Sequence, residues 1–440
     1  MVKVITYGTY DLLHYGHIRL LERAKALGDW LIVGVTADDF DKQRGKINVR
    51  QSLMERIEAV RATGLADEVI VEEYEGQKID DIRKYDIDIF TVGSDWVGKF
   101  DYLNAYCKVV YLPRTEGVSS SELRESRRPV RLGLAGDARF VSKLWGECAF
   151  VNGLHVSALC TRSEALAERG RKELELVTDD FDRLLEGVDA VYLRTRPGEH
   201  ASQLRRALEA GRHVLCESPL TLSRAESEEL MALAREKNLI LMEAVKTAYA
   251  TAYARLLLLV KGGRIGEVLS VDAACTSIRE NGDDGAEWNG IHEWGPTALL
   301  PVFQLLGTDY RDCRIAARFR DGGQDSFTKL DFVYDHAVAG VKVGDGVKTE
   351  GELVVSGTKG YLYVPAPWWK TDYFELRCED PADNKRWFYQ LDGEGIRYEL
   401  VAFTRAIERG RLISDIDESV TLAISAVMED FEQRRNMTLL

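Results

Sequence analysis

The hydrophobic pattern changes period within the first thirty residues. VKVITY, residues 2–7, alternates branched and aromatic residues as a buried strand does, while IRLLERAKALG, residues 18–28, repeats its apolar positions as one helix face. GTYDLLHYGH, residues 8–17, therefore spans a strand end, a turn and the first helical turn. The same strand-then-turn pattern recurs at DIDIFTVGSDW, running into Gly93, Asp95 and Trp96, and at VVYLPRTEG, running into Arg114 and Thr115. Ser119 and Glu122 have the spacing of a capping box that opens a further helix. In ELRESRRPVRLGLAG a helix ends in a charged run, Pro129 breaks it, and a new strand starts at Val130. Both halves alternate strands with helices, so the fold class is α/β, with parallel sheets covered by helices.

Length and composition bound the function. At 440 residues the chain exceeds one ordinary core, and two or three domains are expected. Hydrophobic content of 45% and charged content of 30% are those of a soluble globular protein. A net charge of −14 argues against a nucleic-acid partner, because phosphate backbones demand a basic face; it leaves nucleotide substrates open. No apolar stretch approaches a membrane span, ARLLLLVKGG being far too short, so no membrane insertion is expected. MVKVITYGTY has neither the apolar run nor the cleavage site of a signal peptide. Seven cysteines without a CxxC pair point to reduced thiols and a cytoplasmic location. The chain has no internal repeat and no low-complexity tract.

Candidate chemistry collects at the strand ends. Gly8 lets backbone approach a ligand. His14 and His17 share one face of a helix start, where free N–H groups and the positive dipole end favour an anion, so the pair suits a phosphate. The alternatives are a zinc pair, for which no third or fourth ligand lies near in sequence, or one buried and one surface histidine. Arg44 and Lys46 flank Gly45, and Arg56 follows on an amphipathic helix. Asp95, just past a strand, is placed to accept ribose hydroxyls, and Arg114 with Ser119 and Ser120 at a helix start suits phosphate again. Each has a plainer reading: Arg44 and Lys46 as a solvated loop, Asp95 as a turn cap, Ser119 as a helix cap. Their shared position at strand ends, where open α/β sheets bind ligands, favours the site.

Through GTYDLLHYGH, VGSDWVGKFDYL and RTEGVSSS, residues 1–127 resemble the cytidylyltransferases of the HxGH nucleotidyltransferase superfamily, and within it the glycerol-3-phosphate cytidylyltransferases. The resemblance implies a Rossmann-like domain converting CTP and a polyol phosphate to a CDP-polyol and pyrophosphate with Mg²⁺. It implies catalytic roles for His14, His17, Lys46 and Arg114, and substrate binding by Thr9, Tyr10, Asp11, Arg44, Arg56, Asp95, Thr115, Ser119 and Ser120. No protein-held metal site is expected. Two positions depart from the family pattern: Gly64 stands where a second arginine is usual, and Arg44 is the first basic residue of the lysine loop. Both bear on the acceptor phosphate, so cytidylyl transfer is more secure than glycerol 3-phosphate as acceptor.

The second half opens with a degraded dinucleotide fingerprint. Gly136 holds the first glycine position, Ala138 the second and Val141 the third, and Thr161 followed by Arg162 stands where an acidic ribose ligand is usual. VDAVYLRTRPGEHASQLRRALEAGRHVLCESPLTLS resembles the glucose–fructose oxidoreductase and inositol dehydrogenase family, and VKGGRIGEVLSVDA continues it into a second, mostly antiparallel α+β domain. The resemblance implies domains at 129–245 and 246–440 and an NAD(P) site involving Gly136, Ala138, Thr161, Arg162 and Glu217. The family's catalytic lysine is Ser218 here, and later family acid–base positions fall on Glu293 and Thr297. Serine cannot supply the charged acid that polarises a carbonyl. Lys246, His292, Glu293 and Lys370 beside Trp368 and Trp369 are possible replacements, against the plainer reading of core tryptophans and a satisfied histidine. The expected whole is a homo-oligomeric cytidylyltransferase serving a cell-surface polymer, fused to an oxidoreductase-like half. Its rivals are a bifunctional sugar-phosphate reductase and cytidylyltransferase, or a second half that only binds or dimerises.

Overall fold

The structure, a computed structural model, describes residues 1–74, 76–113, 128–278, 290–389, 391–412 and 414–440. The chain forms two compact units, Met1–Pro129 and Val130–Leu440.

The first unit is built on five parallel strands: β1 (Lys3–Gly8), β2 (Trp30–Thr36), β3 (Glu68–Glu72), β4 (Ile89–Gly93) and β5 (Lys108–Leu112), in the order β3-β2-β1-β4-β5. Alternation along β1 and β2 sends Val4, Leu31 and Val33 to one face, against Leu21 and Ala24 of helix α1 (Tyr15–Lys25). A short helix α2 (Asp38–Gln43) follows β2, and Ile57 and Val60 of α3 (Leu53–Ala62) complete that layer. Ile5, Ile32 and Phe90 face the other way, against Ile82 of α4 (Gln77–Tyr85) and Leu103. Successive connections leave β1 in opposite directions, so the carboxyl ends of β1 and β4 flank the crevice where such sheets bind ligands.

The second unit begins with six parallel strands: β6 (Val130–Ala135), β7 (Leu154–Cys160), β8 (Leu176–Thr178), β9 (Ala190–Leu193), β10 (His213–Glu217) and β11 (Leu241–Ala244), ordered β11-β10-β9-β6-β7-β8. Helices α5 (Arg139–Cys148), α6 (Glu164–Glu173), α7 (Phe181–Glu186), α8 (Pro197–Glu209) and α9 (Arg224–Glu236) cover it. A nine-stranded sheet follows, with β12 (Val268–Ser277) at its centre and the short strand Met437–Leu439 at one edge. It is antiparallel except where β12 meets Val338–Asp345 and where Asp312–Phe319 meets Met437–Leu439. Helices α10 (Thr251–Lys261), α11 (Ile291–Leu306), α12 (Ile396–Arg409) and α13 (Glu418–Glu432) belong to this part. The buried hydroxyls of Ser227 on α9 and Ser425 on α13 meet at 2.8 Å, tying the parallel sheet's cover to the second sheet's helices. Two parallel Rossmann-like sheets and a mixed, mostly antiparallel one are the architecture expected from sequence.

Candidate active site

The carboxyl end of β1 delivers Gly8 and Thr9 into a tight turn in which Tyr10 (φ 53°) and Leu12 (φ 49°) take left-handed conformations, uncommon for residues with a side chain. Tyr10 folds its ring back over Gly8: a Cβ there would lie 3.0 Å from Tyr10 Cε2, so the glycine makes room for this ring. The turn is fastened by Asp11, which is buried and whose Oδ1 accepts from the backbone N–H groups of Arg50 and Gln51, each at 3.0 Å. Gln51 Oε1 in turn accepts from Leu12 N at 2.7 Å.

His14 caps α1. Its Nδ1 accepts from Gly16 N at 3.1 Å, which makes Nε2 the protonated, donating nitrogen in the neutral ring. The His14 and His17 rings stack with centroids 3.9 Å apart, and Tyr10 meets His17 edge-on at 5.5 Å. The first turn of α1 carries no acidic residue, so the helix's own side chains do not neutralise its positive end. Two imidazoles at the positive end of a helix make a polar corner suited to phosphate oxygens.

A basic wall adjoins it. Lys46 Nζ donates to Thr9 Oγ1 at 2.9 Å, and the Thr9 hydroxyl in turn donates to Asp41 Oδ1 at 2.8 Å. The Arg44 guanidinium lies 5.5 Å from the ring centres of both Phe40 and Trp96 and 3.8 Å from the buried Glu72. Lys78 pairs with Glu72 and stands over the rings of Tyr7 and Phe100. Arg44, Lys46 and Lys78 thus line one cleft with Gly8 and Trp96. The sequence reading missed Lys78 and its buried partner Glu72. Nothing local marks Lys78, and only β3's pairing with β2 brings Glu72 to Thr36, whose hydroxyl donates to it at 2.8 Å.

Arg56, which the resemblance sets among the substrate-binding residues, is completely buried. Its Nη1 donates to the carbonyls of Thr9 (2.6 Å) and Thr36 (2.8 Å), its Nε donates to Gln51 O (3.2 Å), and it pairs with Asp38. A guanidinium whose donors are spent on the ends of β1 and β2 holds the cleft's frame and does not reach into it. Asp95 is exposed on the 3-10 turn Ser94–Trp96 directly after β4. Arg114, Thr115, Ser119 and Ser120 lie outside the described residues.

Burial pushes the Asp41 carboxyl up from 3.8 to about 6, partly offset by Lys46, the Thr9 hydroxyl, Arg56 and Arg44. The folded chain therefore holds this proton more tightly than the unfolded chain. Its contribution to stability is full below the ordinary value and is lost as pH rises through about 6. Asp41→Asn keeps an acceptor for Thr9 and removes that loss. In urea unfolding the variant gains on the parent as pH rises from about 4 to about 7; a pH-independent difference would show that Asp41 does not titrate this way.

In the second unit, Gly136 (φ 149°) ends β6 against the chain after β9, and a Cβ there would lie 2.3 Å from Arg194 O. Asp137 then crosses to the end of β7, its Oδ1 accepting from Thr161 Oγ1 at 2.8 Å and from Arg162 N at 2.5 Å. Ala138 begins α5, and Val141 is buried in the core. Ala138 closes the open space that a second glycine leaves for a pyrophosphate, while the Asp137 carboxylate stands at the end of β7, where the ribose ligand is usual. Arg162 is exposed, and Glu217 accepts from Tyr192 OH at 2.5 Å. Ser218 is buried and donates to Glu243, so it faces inward. His292 pairs with Glu432 at 3.0 Å, and Glu293 is exposed on α11. Trp368 and Trp369 are buried, the latter edge-on to Trp294 at 5.2 Å, which makes them core. Lys246 and Lys370 are brought together on Glu394. Among the described residues no group of three or more His, Cys, Asp or Glu could hold a metal ion, and no helix is long and apolar enough to cross a membrane.

Residues 5–126 match the cytidylyltransferase-like family, and residues 130–245 match the oxidoreductase family with an NAD-binding Rossmann fold. The glycerol-3-phosphate cytidylyltransferase of Bacillus spizizenii is 53% identical over 125 residues, which span 28% of this chain and 96% of that protein. The chain belongs to the cytidylyltransferase-like family. Its cytidylyltransferase domain is fused to an oxidoreductase-like domain. For the second, a dTDP-3,4-didehydro-2,6-dideoxy-α-D-glucose 3-reductase of Saccharopolyspora spinosa is 39% identical over 147 residues, 32% of this chain and 44% of that protein. A 3-ketoreductase from Actinomadura kijaniata, solved with NADP and TDP-benzene, superposes with a TM-score of 0.63 at 22% identity, covering 71% of this chain and 99% of that one. That likeness establishes the oxidoreductase fold.

Proposed function

We propose that the cytidylyltransferase domain transfers CMP from MgCTP to a polyol phosphate, glycerol 3-phosphate or a close analogue. A phosphate oxygen of the polyol phosphate bonds to the α-phosphorus of CTP, the bond to the β-phosphate oxygen breaks, and pyrophosphate leaves with the negative charge. A phosphate dianion is already nucleophilic, so no general base is required. The work left to the protein is positioning and charge stabilisation. The observation that carries this reading is the stacked His14–His17 pair at the N-terminus of α1, whose first turn holds no acidic residue, beside Lys46 and Thr9.

In this reading Nε2–H of His14 and the ring of His17 face the phosphates, with Lys46 guiding the triphosphate and Arg44 and Lys78 receiving the acceptor phosphate. Asp95 takes the ribose hydroxyls. Tyr10, Asp11 and Arg56 act as positioning residues, holding the turn that presents the histidines and Thr9. Arg114, Thr115, Ser119 and Ser120 enter on family resemblance, as further phosphate donors. Mg²⁺ arrives with the triphosphate as part of the substrate. We read the chain as domains 1–127, 129–245 and 246–440, cytoplasmic, homo-oligomeric, and making a CDP-polyol such as CDP-glycerol for a cell-surface polymer. A nicotinamide dinucleotide belongs to the second half by fold alone, and Ala138 and the inward Ser218 weigh against efficient hydride chemistry there.

The test is nucleotide competition on the full chain with glycerol 3-phosphate as acceptor. CTP is expected to outcompete ATP as cytidylyl or adenylyl donor; equal rates would place the domain's base preference elsewhere.

A further inference from the structure

Three lysines of the second unit converge on one carboxylate. Lys143 Nζ lies 2.7 Å from Glu394 Oε1, and Lys246 Nζ and Lys370 Nζ each lie 3.0 Å from Oε2. They come from separate places: Lys143 from α5, Lys246 from the chain just after β11, and Lys370 from the 3-10 turn Trp368–Lys370. Against the three ammonium groups stand Glu394 and, through its charge on Lys246, Glu217, which leaves one positive charge in excess. Lys246 is also partly desolvated, with its charge sustained by Glu394 and Glu217 and opposed by Lys370. Helping this cluster costs Glu394 an unusual backbone. Gly393 (φ 57°), Glu394 (φ 54°) and Gly395 (φ 90°) are successive left-handed residues, and Glu394 bears a side chain there.

An arrangement built for stability alone would match charges. A surplus of cations around a carboxylate that sits on a strained loop is instead the form of an anion site occupied by the protein's own group. The ammoniums lie beyond the carboxyl ends of parallel strands, where such sheets take ligands. Nearby, Glu217 receives the Tyr192 hydroxyl, and a carboxylate of this kind also accepts alcohol hydroxyls. We propose that Lys143, Lys246 and Lys370 form a binding site for the phosphate of a phosphorylated polyol or sugar, with Glu394 occupying it until the phosphate replaces the carboxylate. With Glu394 displaced, the three lysines and Glu217 leave two positive charges, which a phosphate dianion matches and a neutral sugar does not.

Calorimetry on the full chain tests this with glycerol 3-phosphate and, separately, inorganic phosphate, without CTP. All variants share the same first unit, so differences report the lysine site. Glu394→Gln removes the internal competitor and is expected to tighten one phosphate-binding component by about tenfold, while Lys143→Gln with Lys370→Gln abolishes that component. Should the double variant fail to melt cooperatively, Lys143→Gln alone is expected to weaken it by about tenfold. A clasp serving stability only would lower the melting temperature of Glu394→Gln with no gain in phosphate affinity, and that result overturns the proposal. Titration with NADH and NADPH separates the sources of phosphate. Loss of dinucleotide binding in the lysine variants with glycerol 3-phosphate binding intact would also overturn it.

Discussion

Alanine at His14 or at His17 lowers pyrophosphate release from CTP by about a hundredfold or more, as loss of one transition-state donor does. The effect falls on kcat, because the charge these rings meet grows only as the α-phosphorus is attacked. Stability does not account for it. His14 caps α1 through Nδ1, and losing a cap costs about 1 kcal/mol, too little to unfold a domain of this size. His14→Asn separates the two roles, since its side-chain oxygen restores the cap acceptor without restoring an imidazole. Its unfolding midpoint is expected near the parent's while its turnover stays near that of His14→Ala. Near-normal turnover in either alanine variant would make the pair structural.

Arg56→Leu is expected to cost about 3–5 kcal/mol, the largest stability effect in the first unit, because it removes one partner from a buried charged network. Asp41, 3.7 Å from the guanidinium, loses a cation, and the carbonyls of Thr9 and Thr36 are left without their donor. Arg56→Lys does not restore it, because one ammonium cannot span the Thr9, Thr36 and Gln51 carbonyls as the planar fork does. Urea unfolding gives the cost directly. In whatever fraction folds, turnover should fall as well, since Thr9 is the residue that meets Lys46. A folded Arg56→Lys with full activity would contradict the framing role.

What the sequence reveals here follows the range of each interaction. The β1–turn–α1 unit was legible because its signals are local: alternation in VKVITY, then a helix whose first turn holds both histidines. Pro129 marked the break between the units for the same reason. The resemblance set Arg56 among the substrate-binding residues, and its framing contacts were not legible because the carbonyls it holds on β1 and β2 lie 20 to 47 residues away in sequence. Lys78 was missed likewise, its partner Glu72 being placed by strand pairing. The weak fingerprint after β6 was visible in Ala138 and Val141, but Asp137's reach to Thr161 required the folded turn. The gathering of Lys143, Lys246 and Lys370 on Glu394 spans some 250 residues and leaves no local pattern at all.

The central claim is cytidylyl transfer by the histidine corner of the first unit. The measurement that meets it most directly is the product formed when the full chain is given CTP, Mg²⁺ and glycerol 3-phosphate, followed by mass spectrometry and pyrophosphate assay. The account predicts CDP-glycerol and pyrophosphate in equal amounts, both lost in His14→Ala and His17→Ala. A folded chain that releases no pyrophosphate with glycerol 3-phosphate or any other polyol phosphate would contradict it.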